Sequence, residues 1–337
     1  MDLMEALRAR AKEDPQRVAF PEADDDIMMQ AVGEIVREGY ARCVLVGDER
    51  ALRAKAEELG VDASAVEFAD LADEERNDDL AARFMALPTC RYAEKATRRR
   101  LAKPLEHALI MEAVGDVDVT FAGISSSTGD VILAGQMIIG LADGIDTPSS
   151  VGIFDIPGFE GSEGRLLGFG DSAVCQNPGS DELASIAIAA CDTIRALTQW
   201  EPRCALLSFS TDGSGDGEMV EKVVRARDIA RTRRPDLKID GEFQLDSAID
   251  PRVAGRKVKR ASEVAGRANI VIWPDLNVGN IGVKLVQQFA RADAYGPMLQ
   301  GFEKIVCDCS RSAGVSEIVG NVVMSCVRAQ ALKGVRS

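Results

Sequence analysis

The sequence predicts an α/β protein composed of two doubly wound parallel-sheet domains, each with a three-layer α/β/α arrangement. Segments with helical hydrophobic spacing alternate with short apolar segments along the 337 residues. This alternation is typical of parallel sheets that carry helices on both faces. The length itself corresponds to about two domains at ~150 residues each. A composition of 46% hydrophobic and 28% charged residues is that of a water-soluble globular protein.

The first 145 residues are predicted to form one doubly wound domain. The expected helices cover 2–13, 25–40, 51–60 and the region around 77–113, and the expected strands are 17–20, 43–47, 66–68 and 117–123. Pro15 ends the first helix and Pro21 ends the first strand, because proline cannot continue either element. The order β-α-β-α then predicts parallel strands joined by helices.

A second α/β series follows a stretch rich in Gly, Pro, Ser and Asp at 143–165, which predicts a hinge or a crossover between domains. The series begins with LLGFGDSAV at 166–174. The expected strands are 204–210, a short one near 237–239, 268–274 and 305–309, and the expected helices are 181–199, 217–233, around 246–265, near 279–292 and a last one from about 315. The second half is therefore predicted to repeat the architecture of the first.

Charge and residue counts exclude several function classes. Subtracting 54 acidic from 40 basic residues gives a net charge of -14, which argues against general nucleic-acid binding. The single histidine, His107, argues against multi-histidine metal sites and against Ser-His or Cys-His nucleophile pairs. The sequence contains no run of ~18 apolar residues, so no membrane span is predicted. Eight scattered cysteines indicate reduced thiols in a cytoplasmic protein, with a soft-metal pair at Cys307 and Cys309 as the alternative to core-facing thiols.

Hydroxyl residues follow the strand at 117–123, where a parallel sheet places its ligands. The run Ser125, Ser126, Ser127 and Thr128 precedes the next predicted helix, so its hydroxyls and free amides could form an anion cradle. An ordinary serine or threonine helix cap accounts for the same residues, and both interpretations stay open.

Two later loops also follow strands. The loop at 210–217 carries several acidic residues, which favours turn chemistry over phosphate binding. In WPDLNVGNIGVKLVQQ, Gly279 and Gly282 permit close backbone approach and Lys284 offers a positive charge to an anionic ligand. Neither contains a dinucleotide or nucleoside-triphosphate motif.

The segment IVCDCSRSAGVSE brings together three chemically complementary side chains. Ser310 and Arg311 follow the strand at 305–309, and Glu317 begins the final helix. An arginine can stabilise a phosphate or a developing oxyanion, and a carboxylate can accept a proton from a thiol. The alternative is that Glu317 caps the helix and pairs with Arg311 at the surface.

Several of these segments together resemble the phosphate acetyltransferase/phosphate butyryltransferase family. They are DPQRVAFPEADDD, IDGEFQLDSAI, PDLNVGNIGVKLVQ, YGPMLQG and DCSRS, and the resemblance extends from about residue 8 to residue 331. It implies two α/β domains with a cleft between them, 1–145 plus 302–337 and 146–301, the second forming a homodimer. It also implies transfer of an acyl group, with acetyl expected, between coenzyme A and phosphate, without a metal or a permanently bound cofactor.

The resemblance implies a role for each matching residue. Ser310 and Arg311 would stabilise the tetrahedral intermediate and the phosphate, while Glu317, where the family usually has aspartate, would deprotonate the coenzyme A thiol. The residues expected to contact the substrates are Ser126, Ser127, Thr128, Asn280, Lys284 and Tyr295.

Six positions depart from the family pattern. Leu133-Ala134 replaces an Arg-Pro pair that helps bind phosphate, and a second family arginine has no clear counterpart, although Arg83 and Arg91 lie near its place. Asp212 stands where the family usually has Lys, and Ser312 and Ala23 stand where it usually has Gly. One alternative is therefore a diverged homologue that uses another acyl compound or binds coenzyme A without catalysis. A decarboxylating dehydrogenase is a further alternative, although the sequence lacks dinucleotide motifs.

Overall fold

The computed structural model describes residues 2–336, with side chains up to 334. Its strands are β1 (Gln16–Phe20), β2 (Ala41–Gly47), β3 (Glu67–Asp70), β4 (Val119–Ala122), β5 (Ser149–Asp155), β6 (Leu166–Gly170), β7 (Arg203–Leu207), β8 (Lys238–Phe243), β9 (Ile270–Ile272), β10 (Asp293–Gln300) and β11 (Ile305–Asp308). Its helices are α1 (Leu3–Glu13), α2 (Asp26–Glu38), α3 (Glu49–Glu58), α4 (Glu74–Met85), α5 (Glu94–Leu101), α6 (Pro104–Val114), α7 (Thr128–Ile138), α8 (Ser180–Thr198), α9 (Glu218–Arg233), α10 (Leu245–Ile249), α11 (Pro251–Lys257), α12 (Leu276–Ala290) and α13 (Val315–Arg336).

The chain divides into two compact units. Unit 1 comprises Met1–Gly140 and Phe302–Ser337, and unit 2 comprises Leu141–Gly301. Each unit has a mostly parallel sheet with helices on both faces, which confirms the predicted α/β class. Between residues 2 and 336, no helix combines the length and the apolar character that crossing a membrane requires.

Unit 1 contains a five-stranded parallel sheet in the order β11-β4-β1-β2-β3. The helices α1, α2 and α13 pack on one face, and α4 to α7 form the other layer. Because β1 has β2 on one side and β4 on the other, the strand order reverses between β1 and β4. The carboxyl ends of strands at such a reversal are the usual ligand site of an open α/β sheet.

Unit 2 contains a six-stranded sheet in the order β10-β5-β6-β9-β7-β8. Strand β5 runs antiparallel to both of its neighbours, so the sheet of this unit is mostly rather than entirely parallel. The segment 143–165 is not simply a hinge, because it contains β5, whose residues are almost all buried. Strand β10 was not predicted, since its sequence DAYGPMLQ contains Gly and Pro and its pairing is interrupted between Tyr295 and Met298. Proline is tolerated in an edge strand beside such an irregularity.

Candidate active site

Unit 1 has a pocket of about 410 Å³ at the carboxyl ends of β4 and β11. These strands pair in parallel, with Asp308 opposite Ala122, so the segments that follow them begin side by side. The residues that line the pocket are Gly123, Ser126, Thr128, Cys309, Ser310, Arg311 and Ser312. The pocket therefore brings together four of the residues predicted for the site.

Ser310 and Arg311 lie in a tight turn after β11. The Ala313 amide donates to the Ser310 carbonyl at 2.9 Å, and the Ser310 and Ser312 hydroxyl oxygens are 2.9 Å apart. The exposed Arg311 guanidinium has no ion-pair partner among residues 2–334. Its charge also favours the ionised form of Asp130, whose pKa is lowered mainly by hydrogen bonds with Ser127. A cation and a hydroxyl group are thus available to an anion in the pocket.

Thr128 is fixed by a buried carboxyl group. Its hydroxyl donates to Asp308 Oδ2 at 2.6 Å, and Asp308 is only 9% exposed. Burial raises the pKa of Asp308, and the hydrogen bond from Thr128 opposes that rise in part. Because its proton is directed to Asp308, the Thr128 hydroxyl presents its remaining acceptor capacity to the pocket.

Ser127 has a structural partner. Its hydroxyl accepts the Asp130 amide at 3.1 Å, and Asp130 Oδ2 accepts the Ser127 amide at 3.3 Å, which together form a capping box at the start of α7. The Ser127 hydroxyl also donates to Asp130 Oδ2 at 2.6 Å. This geometry favours the capping interpretation of Ser127. A contact between Ser127 and substrate stays a prediction, as Ser127 does not line the pocket.

Glu22 belongs to this region although the sequence reasoning did not select it. Its carboxylate accepts hydrogen bonds from the amides of Gly123 at 2.8 Å, Ser125 at 3.1 Å and Ser126 at 2.9 Å. The amides of the expected anion cradle are therefore occupied by the protein's own carboxylate. Its position directly after β1, beside the strand reversal, was the available signal.

Glu317 lies in the first turn of α13 and is exposed. It does not line the pocket, but its charge contributes to the raised pKa of Cys309, for which burial is the main cause. Within the described side chains no ion pair joins Glu317 to Arg311, so the surface-pair alternative is not formed. The role of Glu317 as a base stays a prediction.

A larger pocket of about 830 Å³ lies beside the first and shares Ser126 with it. Its wall includes residues that follow β1 and β2, the α7 residues Leu133 and Met137, and the cationic Arg100 and Lys103. Leu133 is 61% exposed, so an apolar side chain faces the pocket where the family resemblance places an arginine. The two cations share Glu106 as an ion-pair partner.

The two arginines near the second expected family position have different surroundings. Arg83 makes paired hydrogen bonds to Asp116 at 2.7 and 2.6 Å and a further one to Asp79. The hydrogen bonds from Arg83 lower the pKa of Asp116. Arg91 is exposed. The Arg83 guanidinium is therefore already hydrogen-bonded to carboxylates, whereas Arg91 is exposed to solvent.

The remaining predicted substrate contacts belong to unit 2. The Asn280 side chain donates to the Ser172 carbonyl at 3.2 Å, Lys284 is exposed one turn later on α12, and Tyr295 is half-buried on β10. Gly279 approaches the Asp171 carbonyl so closely that a Cβ there would lie 2.3 Å from its oxygen. Gly279 therefore closely approaches another part of unit 2 and not a ligand. The substrate contacts of all three side chains stay predictions.

The loop at 210–217 is held by side chains of its own unit. Glu242 accepts the Ser210 hydroxyl at 2.8 Å and the Gly213 amide at 2.9 Å, and Asp212 pairs with Arg260. These contacts favour the interpretation that the polar residues of the loop stabilise the turn rather than bind phosphate.

His107 and Cys307 do not line the smaller pocket, whereas Cys309 does. The His107 ring contacts the Leu101 carbonyl at 3.0 Å, and burial lowers its pKa. Cys307 is buried in the core of unit 1, where burial raises its pKa to about 12. Within the described part of the chain, no group of three or more His, Cys, Asp or Glu residues is placed to hold a metal.

Comparison with known proteins extends these observations over the whole chain. Residues 2–326 match the family model described as Phosphate acetyl/butaryl transferase. A phosphate acetyltransferase of Clostridium acetobutylicum is 43% identical over 98% of this chain and 99% of that protein, and one of Acetivibrio thermocellus is 34% identical over 99% and 100%.

Solved structures agree with this assignment. A Streptococcus pyogenes phosphotransacetylase has 30% identity and a TM-score of 0.88 over 98% of each chain. The EutD phosphotransacetylase of Staphylococcus aureus has 29% identity and a TM-score of 0.88, covering 97% of this chain and 98% of that one. The chain therefore belongs to the phosphate acetyl/butyryl transferase family of acyltransferases.

Proposed function

We propose that the protein interconverts acyl-CoA and phosphate with acyl phosphate and free coenzyme A, with acetyl as the acyl group. The observation that carries the proposal is the pocket that gathers Ser126, Thr128, Ser310 and Arg311 in a member of this family. The acetyl group is supported by the names of the relatives from Clostridium acetobutylicum and Acetivibrio thermocellus.

The proposed reaction is direct attack within a ternary complex. Glu317 removes the thiol proton of coenzyme A, and the thiolate forms a C–S bond with the carbonyl carbon of the acyl phosphate. The carbonyl electron pair moves to oxygen and returns as the C–O bond to phosphate breaks. Arg311 and Ser310 donate hydrogen bonds to the negative oxygens of the intermediate and of the departing phosphate. Such preorganised donors are often the largest source of catalysis.

The larger pocket is the proposed coenzyme A site of unit 1. At about 830 Å³ it lies within the size range of ligand pockets. Leu133 and Met137 offer an apolar surface for the pantetheine arm, and Arg100 and Lys103 offer cations for its phosphates. The shared Ser126 would allow a thiol to pass into the smaller pocket. Coenzyme A acts here as a substrate, and no permanently bound cofactor is proposed.

We also propose a homodimer formed through unit 2. The helix α12 exposes four large apolar side chains, Val278, Ile281, Leu285 and Phe289, and Phe289 is 84% exposed. Their spacing of three to four residues places them along one stripe of the helix. A cytoplasmic location is proposed because thiols such as that of coenzyme A stay reduced in a reducing compartment.

A second candidate function rests on Leu133. Without an arginine at this position, the protein could use another acyl substrate or bind coenzyme A without transfer. Titration calorimetry with coenzyme A and with inorganic phosphate separates the two candidates. Binding of both supports the acyltransferase, and binding of coenzyme A alone supports the diverged homologue.

The decisive experiment is thioester formation from coenzyme A and acetyl phosphate by the purified protein. We expect activity, and we expect Arg311→Ala to reduce kcat by about 10²-fold to 10³-fold because it removes a donor to the oxyanion. The matched control is Arg50→Ala, which removes an exposed arginine that lines neither pocket. A protein inactive with acetyl, propionyl and butyryl phosphate would refute the proposal.

A further inference from the structure

Glu22 fills the amide pocket of the loop that follows β4. The loop points the N–H groups of Gly123, Ser125 and Ser126 at one place, and the Glu22 carboxylate receives all three. Both carboxylate oxygens take part, since Oε2 accepts from Gly123 and Ser125 and Oε1 accepts from Ser126. Glu22 is only 5% exposed, so the group is nearly removed from water.

Converging backbone amides at the end of a strand normally bind an anionic ligand. Here that anion is a side chain of the same unit, carried on the segment after the central strand β1. A substrate phosphate consequently has the side chains of Ser310 and Arg311 as its donors, rather than these amides.

The loop also packs directly against the segment that carries Ser310. Gly123 has φ +110°, and a Cβ on it would lie 2.5 Å from both the backbone nitrogen and the carbonyl oxygen of Cys309. The Cys309 amide in turn donates to the Ala122 carbonyl at 3.0 Å. A displacement of the loop would therefore move Cys309, and with it the adjoining Ser310 and Arg311.

We propose that Glu22 is a positioning residue of the acyl-transfer site, an inference that rests on the proposed function. Its carboxylate fixes the loop from Gly123 to Ser126. It thereby sets the place of the Ser126 hydroxyl and the place of Cys309 to Arg311, all of which line the smaller pocket. Glu22 lines the larger pocket but not the smaller one, on which it acts through these residues.

Two variants of Glu22 test this role. Glu22→Ala empties the amide pocket, and Glu22→Gln keeps the size but places an NH₂ group against an N–H donor. We expect either change to reduce kcat for acetyl phosphate and coenzyme A at least about tenfold, because small misplacements of reacting groups are costly. Formate, a free carboxylate, should restore much of the kcat of Glu22→Ala and little of that of Glu22→Gln, whose side chain still fills the space.

Asp118→Asn is the matched control. Asp118 also accepts a backbone amide, that of Arg17 at 2.9 Å, but it does so at the amino ends of β1 and β4, the opposite edge of the sheet. This variant should lose thermal stability, keep the wild-type kcat and show no response to formate. An equal loss of kcat in Asp118→Asn and Glu22→Ala at matched folded fraction would mean that Glu22 contributes stability alone.

Amide resonances provide a readout that does not depend on turnover. In ¹⁵N-labelled Glu22→Ala, formate should return the Gly123, Ser125 and Ser126 signals toward their wild-type positions. Wild-type kcat in Glu22→Ala, or no formate effect on either kcat or these amides, overturns the inference. A wild-type protein that lacks acyl transfer overturns the proposed function instead, and the amide titration then still decides whether a carboxylate orders the loop.

Discussion

Leu133 occupies the position at which the family resemblance expects a phosphate-binding arginine. It is 61% exposed in the larger pocket, so an arginine can replace it at small cost in stability. We expect Leu133→Arg to lower the KM for inorganic phosphate about tenfold, since a hydrogen bond to a charged group is worth ~1.5 to 3 kcal/mol. Steady-state kinetics in the direction of acyl phosphate formation measures this change.

The control for Leu133→Arg is Met137→Arg, one turn further along α7. It adds the same charge to the same pocket, because Met137 also lines it and is 50% exposed. Equal KM values for phosphate in the two variants would show that general charge is responsible rather than the position of residue 133.

Glu112 is a residue whose ionisation opposes folding. Its carboxyl group is fully buried on α6, near the Thr120 hydroxyl and the Ile305 amide. Burial raises its pKa from 4.5 to about 8, although Thr120 and Lys304 offset part of the effect. Because the folded protein binds the proton more tightly than the unfolded chain, stability falls as the pH rises from 4.5 to about 8.

The expected loss over that range is on the order of a few kcal/mol. Glu112→Gln cannot ionise, so its free energy of unfolding should change less between pH 5 and pH 8.5 than that of the wild type. Urea unfolding at a series of pH values measures the two slopes. The exposed Glu57→Gln serves as control and should keep the wild-type slope. Parallel slopes for wild type and Glu112→Gln would contradict the prediction.

The helix α7 begins with a complete capping box, and this allows the two interpretations of Ser127 to be separated. Ser127→Ala removes the acceptor for the Asp130 amide, so we expect a loss of about 1 kcal/mol in the free energy of unfolding. Thermal and urea unfolding measure that loss. The KM for acetyl phosphate should change less than twofold if the hydroxyl serves only the helix. Ser125→Ala is the control, because Ser125 uses its backbone amide alone.

Most elements of the fold follow from hydrophobic spacing, and the exceptions have a physical cause. The alternating order of β1, α2, β2 and α3 is visible in the sequence because buried parallel strands and amphipathic helices have distinct patterns. Strand β10 is not visible in this way. Its Gly and Pro are accommodated at a sheet edge by pairing with β5, a contact between residues more than 130 positions apart.

The residues of the candidate site likewise divide into those that the sequence predicts and those that it does not. Ser310 and Arg311 could be predicted because they directly follow a strand that is apparent in the sequence. Glu22 could not be identified by local patterns, because its three hydrogen bonds reach residues about 100 positions away and involve only their backbones. Ser126, Ser127 and Thr128 are neighbours with different partners, and only their side-chain directions at the start of α7 distinguish them.

At the scale of the whole molecule, the exposed stripe on α12 predicts self-association. An 84% exposed phenylalanine beside three exposed aliphatic residues is an apolar patch of the kind that protein interfaces cover. We expect Phe289→Asp combined with Ile281→Asp to convert a dimer into a monomer without unfolding unit 2. Sedimentation velocity measures the mass, and Met219→Asp is the control, as another exposed apolar residue of unit 2 outside the stripe. A wild-type protein that sediments as a monomer would contradict this prediction.

The path of the chain has a consequence for biosynthesis. Unit 2 is inserted between Gly140 and Phe302, and the edge strand β11 with helix α13 completes unit 1 only afterwards. Domains generally fold as units while the chain leaves the ribosome. Unit 2 can therefore finish folding during translation, whereas unit 1 must wait with an open sheet edge at β4. Since Ser310 and Arg311 lie in this later segment, a nascent chain acquires its full set of pocket residues only after unit 2 has been translated.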